Sequence, residues 1–152
     1  MAAVGFNAFD QFRVNQNTAG SLDFELVGTD IRCAIVTAGY TPNQNTDEFF
    51  SAVGANEVSG TGYTAGGNAM ANGIVSVDVA GLMTIDIDDP AAYAQDNAGF
   101  SNARRSIIYS YTGSAATARL IGYSDDYGAD QGNVAGVFQS AVNAAGLMIG
   151  AR

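Results

Sequence analysis

Three aspartates, Asp86, Asp88 and Asp89, crowd the end of one alternating stretch. Hard cations such as calcium take several oxygen ligands from a loop of this kind. On a strand, Asp86 and Asp88 share one face, away from Ile85 and Ile87. The central glycine and terminal glutamate of a helix-loop-helix calcium site are missing, so the cluster reads first as a solvated strand end. Asp125, Asp126 and Asp130 form a second cluster that reads the same way. Paired carboxylates also hydrolyse glycosides. Fifteen acidic residues supply such pairs by chance, however, no spacing singles out two of them, and no tryptophan is present to stack a sugar. Gly60-Thr61-Gly62 and Gly66-Gly67 have the look of a phosphate cradle, but that loop needs a lysine and the chain has none. The dinucleotide fingerprint needs a strand–helix context that is absent. Without histidine, the commonest general base and zinc ligand are missing. The expectation is a protein with no catalytic residues, no resident metal and no cofactor, and so not an enzyme.

The chain has 152 residues and a formal net charge of −9, from fifteen acids and six arginines. This charge repels phosphate backbones and anionic lipid, so neither nucleic acid nor a membrane surface is an expected partner. It leaves arginine as the only strong cation for specific contacts. The single cysteine, Cys33, lies in the apolar run IRCAIV and reads as a buried core residue. No stretch approaches the ~20 apolar residues of a membrane span. No basic segment with an apolar core opens the chain, and assembly in a cytoplasm is expected.

The elements that must position these residues are mostly strands. Phe6, Phe9 and Phe12, spaced by three, fit one face of a helical turn or an extended arm over residues 1–20. Leu22, Phe24 and Leu26 alternate with acids as a half-buried strand, and Ile31 to Thr37 reads as a central strand. The segment Ala38 to Gly67 is too long for a simple turn, and loops of that length are usually functional. Within it, Asp47 to Val53 places acids before apolar residues, as a short helix prefers. Residues 74–88 alternate around Ala80-Gly81 and predict a hairpin, which Pro90 ends. Strands are predicted over Arg105 to Tyr111 and Arg119 to Ser124, and a closing hairpin joins Val134–Val142 to Leu147–Ile149. Ala-Gly-Leu-Met occurs at 80–83 and again at 145–148. The fold class is all-β, an antiparallel sandwich or small, jelly-roll-like barrel. It has an N-terminal arm (1–20), one β domain (21–152) and a long loop (38–67).

CAIVTAGYTPNQNTDEFF, NEVSGTGYTAGG and RSIIYSYTGSAATARLIGYSD, read from Cys33 through Asp125, carry a resemblance to a family of small tailed-bacteriophage virion structural proteins. The match runs from about Leu22 to Asp126. The chain departs from the family's pattern in lacking its tryptophans and lysines, and residues 1–20 match poorly. The resemblance implies a capsid decoration or cement protein on the outer surface of the virion. Such a protein is bound to the major capsid protein and commonly forms a homotrimer. A tail or fibre module that binds a host-surface glycan is the alternative. No catalytic residue is implied.

Aromatic and arginine side chains are enriched at protein interfaces, so the expected contacts are of three kinds. Phe6, Phe9 and Phe12 belong to the arm. Tyr40, Pro42, Asn43, Phe49, Phe50 and Tyr63 belong to the long loop. Arg104, Arg105 and Arg119 flank the later strands.

Overall fold

A computed structural model describes residues 5–16, 30–71, 74–77, 83–142 and 147–148. The described residues build an all-β, antiparallel protein, as the alternation predicts. Its strands are β1 (Phe6–Ala8), β2 (Ile31–Val36), β3 (Asn68–Ala69), β4 (Ile74–Val77), β5 (Met83–Asp86), β6 (Arg105–Ser110), β7 (Arg119–Ser124) and β8 (Leu147–Met148). A short helix, α1 (Asp10–Gln16), follows β1.

Five strands form one sheet in the order β1-β7-β6-β2-β3, and three form another in the order β4-β5-β8. The apolar run IRCAIV lies at the centre as predicted, paired with β6 from Ile31↔Ser110 to Val36↔Arg105. A register shift between Ile108 and Tyr109 interrupts the β6–β7 ladder. The chain passes from β3 in one sheet to β4 in the other, and Asp88 N–H donates to the Ala71 carbonyl at 3.0 Å. On the opposite flank β8 lies beside β1. The five-stranded sheet therefore meets the smaller sheet at its β1 edge.

The hairpin predicted at 74–88 is present, with Ile74↔Asp86, Val75↔Ile85 and Val77↔Met83 in register. Leu22 to Leu26 and the turns around 80 and 145 lie outside the described residues. The closing hairpin is a correction. Residues 134–142 form no strand, and only Phe138 makes a bridge, with Tyr93. β8 pairs with β5 instead, through Thr84↔Met148 and Ile85↔Leu147. The second Ala-Gly-Leu-Met thus ends in a strand beside the one that the first opens.

The N-terminal segment also differs from expectation. Phe6 pairs with Ser124 and Ala8 with Gly122, which makes β1 an integral strand. Phe9 N–H continues the ladder to the Ile121 carbonyl at 3.1 Å. Phe9 and Phe12 are fully buried, and the Phe9 ring lies 4.8 Å from that of Tyr123. The spacing of three serves neither a single helical face nor a free arm: it splits across β1, its end and α1. Burying two phenylalanines offsets the entropy of ordering this short segment.

Candidate assembly surface

The long loop is held by its own side chains. Tyr40 is buried, and its hydroxyl donates to Asp47 Oδ2 at 2.8 Å. The same carboxylate oxygen accepts from Asn43 N–H at 2.9 Å, and Asn43 Oδ1 accepts from Asn45 N–H at 3.2 Å. Gln44 carries the loop to the N-terminal segment: its Nε2 donates to the Ala8 carbonyl, and its carbonyl accepts from Asp10 N–H. The Asp47–Val53 helix is reduced to two single 3-10 turns, Phe50–Ala52 and Gly54–Asn56. Phe49 is extended and bridges to Arg119, so no longer helix starts there.

The second half of the loop folds back along β2. Thr37 N–H donates to the Asn56 carbonyl at 2.9 Å and Val58 N–H to the Ile35 carbonyl at 3.0 Å. Glu57 Oε1 accepts from the Tyr63 hydroxyl at 2.5 Å and from Gly66 N–H at 2.8 Å. The Tyr63 hydroxyl itself accepts from Ile35 N–H at 3.1 Å. Burial, reinforced by these carboxylate partners, pushes the Tyr40 and Tyr63 phenols far above the ordinary tyrosine value. Gly60 packs against the Gly99–Phe100 main chain, and Gly66 and Gly67 take left-handed φ values of +85° and +75°. The glycines that looked like a phosphate cradle are backbone joints. Glu57, Tyr63 and the glycines of NEVSGTGYTAGG thus have partners within the fold.

Four of the expected contact residues are therefore corrected. Phe9, Phe12, Tyr40 and Phe50 belong to the core, and the Phe50 ring stacks on Tyr109 at 4.0 Å. Loop aromatics read as surface anchors because their neighbours are polar, but the loop turns both inward, with Phe50 on Tyr109 of β6. Phe6, Pro42, Phe49 and Tyr63 are half-buried, and Asn43 is exposed.

The arginines are engaged within the chain. Arg104 donates to Asp126 at 2.6 Å and reaches Asp130 at 3.5 Å, while Arg105 pairs with Asp126 at 2.7 Å. The hydrogen bond from Arg104 holds the Asp126 carboxyl below its ordinary value. Arg119 pairs with Glu48 and lies 5.0 Å over the Phe49 ring. Arg32 makes two hydrogen bonds to Asp30, and its guanidinium lies 3.6 Å from the centroid of the Tyr111 ring.

The acidic clusters dissolve in the same way. Asp86 and Asp88 are exposed opposite buried Ile85 and Ile87, as the alternation predicts, and Asp89 Oδ1 accepts from Val142 N–H at 2.6 Å. Asp125 accepts from Asn7 Nδ2, and Asp126 and Asp130 face Arg104. Among the described residues, no group of three or more His, Cys, Asp or Glu side chains is arranged to hold a metal ion. No helix among them is long and apolar enough to cross a membrane.

Sequence reading passed over a buried polar hub. Asn133 is fully buried: its Oδ1 accepts from Phe100 N–H at 2.9 Å, and its Nδ2 donates to the carbonyls of Ala94 at 2.8 Å and Thr61 at 3.3 Å. Around it, Tyr63, Tyr93, Phe100 and Phe138 pack edge to face or tilted, at 5.3–6.2 Å between centroids. Ser106 Oγ contacts the hydroxyls of Tyr127 and Ser140 at the far side of the core. Cys33 is fully buried near these hydroxyls, and desolvation pushes its thiol up to about 11, so it stays an unreactive thiol at neutral pH.

What the fold leaves outward is a set of stiff loops. At one end of the five-stranded sheet, Ser51 N–H donates to the Ala115 carbonyl and Phe50 N–H to the Ala118 carbonyl. These bonds join the 51–55 loop to the 112–117 turn. Comparison with protein-family models, with curated proteins and with solved structures found no match.

Proposed function

We propose that this chain is a virion structural protein of a tailed bacteriophage, a capsid decoration or cement protein that binds the major capsid protein and stabilises the shell. It acts by binding rather than catalysis, as a homotrimer on the outer surface of the capsid. The observation that carries this reading is the loop from Ala38 to Gly67. It is long enough to be a functional insertion, yet Tyr40–Asp47 and Tyr63–Glu57 spend its distinctive side chains on stiffness. A loop locked in this way loses little conformational entropy when a partner docks on it. The resemblance supports the same reading, because the stretches that carry it build β2, the locked loop, β6 and β7. Internal pairing of the described arginines also favours a module whose charges stabilise itself rather than grip a polyanion.

The test uses purified protein and shells prepared without it. Saturable co-sedimentation with shells, and raised resistance of the decorated shells to heat, are expected. Absence of the chain from purified virions, or no binding to shells at saturating protein, would overturn the proposal.

A further inference from the structure

Among the described residues, β4 has a ladder on one side only: it pairs with β5 and stands at the end of the order β4-β5-β8. Its sequence, Ile-Val-Ser-Val, carries neither charge nor proline. Proteins blunt a bare sheet edge with such residues or else cover it, so this edge calls for a cover.

The described ladders point to what covers it. β2 pairs with β3 through Cys33↔Asn68 and Arg32↔Ala69, and Met70 N–H donates to the Ile31 carbonyl at 2.8 Å, one step further in the same register. From that pair the chain runs forward through Ala71 into β4, and backward from Ile31 into the alternating stretch Leu22-Asp23-Phe24-Glu25-Leu26. Carried on unchanged, the register sets Gly28 opposite Gly73. It then sets Val27, Leu26, Glu25 and Phe24 opposite Ile74, Val75, Ser76 and Val77. Two facing glycines suit the point at which paired strands bend from one sheet into another. The alternation agrees with this register. Val75 is paired with Ile85, which is buried, and Leu26 falls in that same row. A slip of one residue would put Glu25 there instead. One position beyond Phe24, Asp23 would meet Asp78, and like charges directly opposite oppose pairing. The ladder therefore ends at Phe24.

We propose that the occupant of the β4 edge is the chain's own segment 24–27, an antiparallel strand that carries β2 on into the smaller sheet. The inference rests on the ladders alone and is independent of the decoration reading. It bears on binding, because a filled edge accepts neither a partner's extended segment nor a second copy by strand addition.

Nuclear Overhauser contacts in the whole chain test it. With a bonded pair at Ile31 and Met70, the close non-bonded pairs of the ladder fall at Leu26–Val75 and Phe24–Val77. Strong contacts between the Hα protons of each pair are expected. Glu25 N–H should exchange with solvent about a hundredfold more slowly than an unprotected amide. A sample mixed from labelled and unlabelled chains separates contacts within one chain from those between copies. Leu26→Cys with Val75→Cys should close an intrachain disulfide on mild oxidation, whereas Leu26→Cys with Ser76→Cys should not, and circular dichroism confirms that each variant folds. Freely exchanging amides over 24–27 without these contacts overturn the inference, as do contacts in another register or contacts found only between copies. A Leu26→Cys, Val75→Cys chain that folds yet never cross-links overturns it as well.

Discussion

Gly67 lies so close to Cys33 that no side chain fits between them: a Cβ at position 67 would overlap the Cys33 carbonyl group and the Ala34 Cα. The neighbours are main chain of the central strand and cannot swing aside. Gly67 also holds a φ of +75°, which other residues adopt at a cost. Gly67→Ala should therefore destabilise the protein by about 3 kcal/mol, from left-handed strain and overpacking together. The midpoint of urea unfolding checks this, with an unchanged slope. A wild-type midpoint would show that the loop does not approach β2 as described.

Asn133 ties three stretches together that no strand connects. Asn133→Ala removes a buried donor and acceptor and leaves Phe100 N–H and the Thr61 and Ala94 carbonyls without them. The expected loss is about 3 kcal/mol, since each buried group left unsatisfied costs roughly 1–3 kcal/mol and the site relaxes in part. Hydrogen exchange should quicken at Phe100 and Thr61 before it changes in β6. Uniform quickening across the chain would point to global destabilisation instead.

Phe9 separates an integral N-terminus from a dispensable arm. With its ring wholly buried beside Tyr123, Phe9→Ala should cost about 3–5 kcal/mol. Thermal unfolding of the isolated protein measures it directly. An arm reserved for a partner would tolerate the same change without a shift in melting temperature.

Alkaline pH should unfold the protein cooperatively. Burial raises the phenols of Tyr40, Tyr63 and Tyr109 beyond the ordinary value, and that of Tyr127 to about 12. In the unfolded chain these groups ionise at about 10. The neutral phenols therefore contribute stability that is fully present below about pH 10 and is lost as pH rises towards their folded values. Phenolate absorbance should rise with loss of circular dichroism near pH 12, and Tyr63→Phe should blunt the dependence. Smooth titration of all tyrosines at about 10 with the fold intact would contradict the burial described for Tyr63 and Tyr127.

The strands that could be read locally were those whose pattern is complete in a few residues. IRCAIV declares a central strand by being apolar at every position but Arg32, and RSIIYS and RLIGYS do so by β-branched and aromatic content. The 74–88 hairpin needs only its own alternation. β8 was misassigned because its partner, β5, lies more than sixty positions away, and local pattern carries no information about that pairing. Residues 134–142 held enough apolar side chains to suggest a strand, but Phe138 and Val142 are buried beneath loops, without a ladder.

The contact residues were harder to read for a related reason. Tyr40 and Phe50 stand among polar neighbours, and only the folding back of the loop turns them inward. Asn133, in DQGNVAG, is indistinguishable in sequence from any loop asparagine.

The side chains of NEVSGTGYTAGG that give the motif its character are turned to internal use, in Glu57, Tyr63 and the glycines. A second chain with the same spacing would inherit the scaffold, whatever it attaches to. The motif is an address for architecture, and any choice of partner is written elsewhere, in side chains that the joints leave free to change.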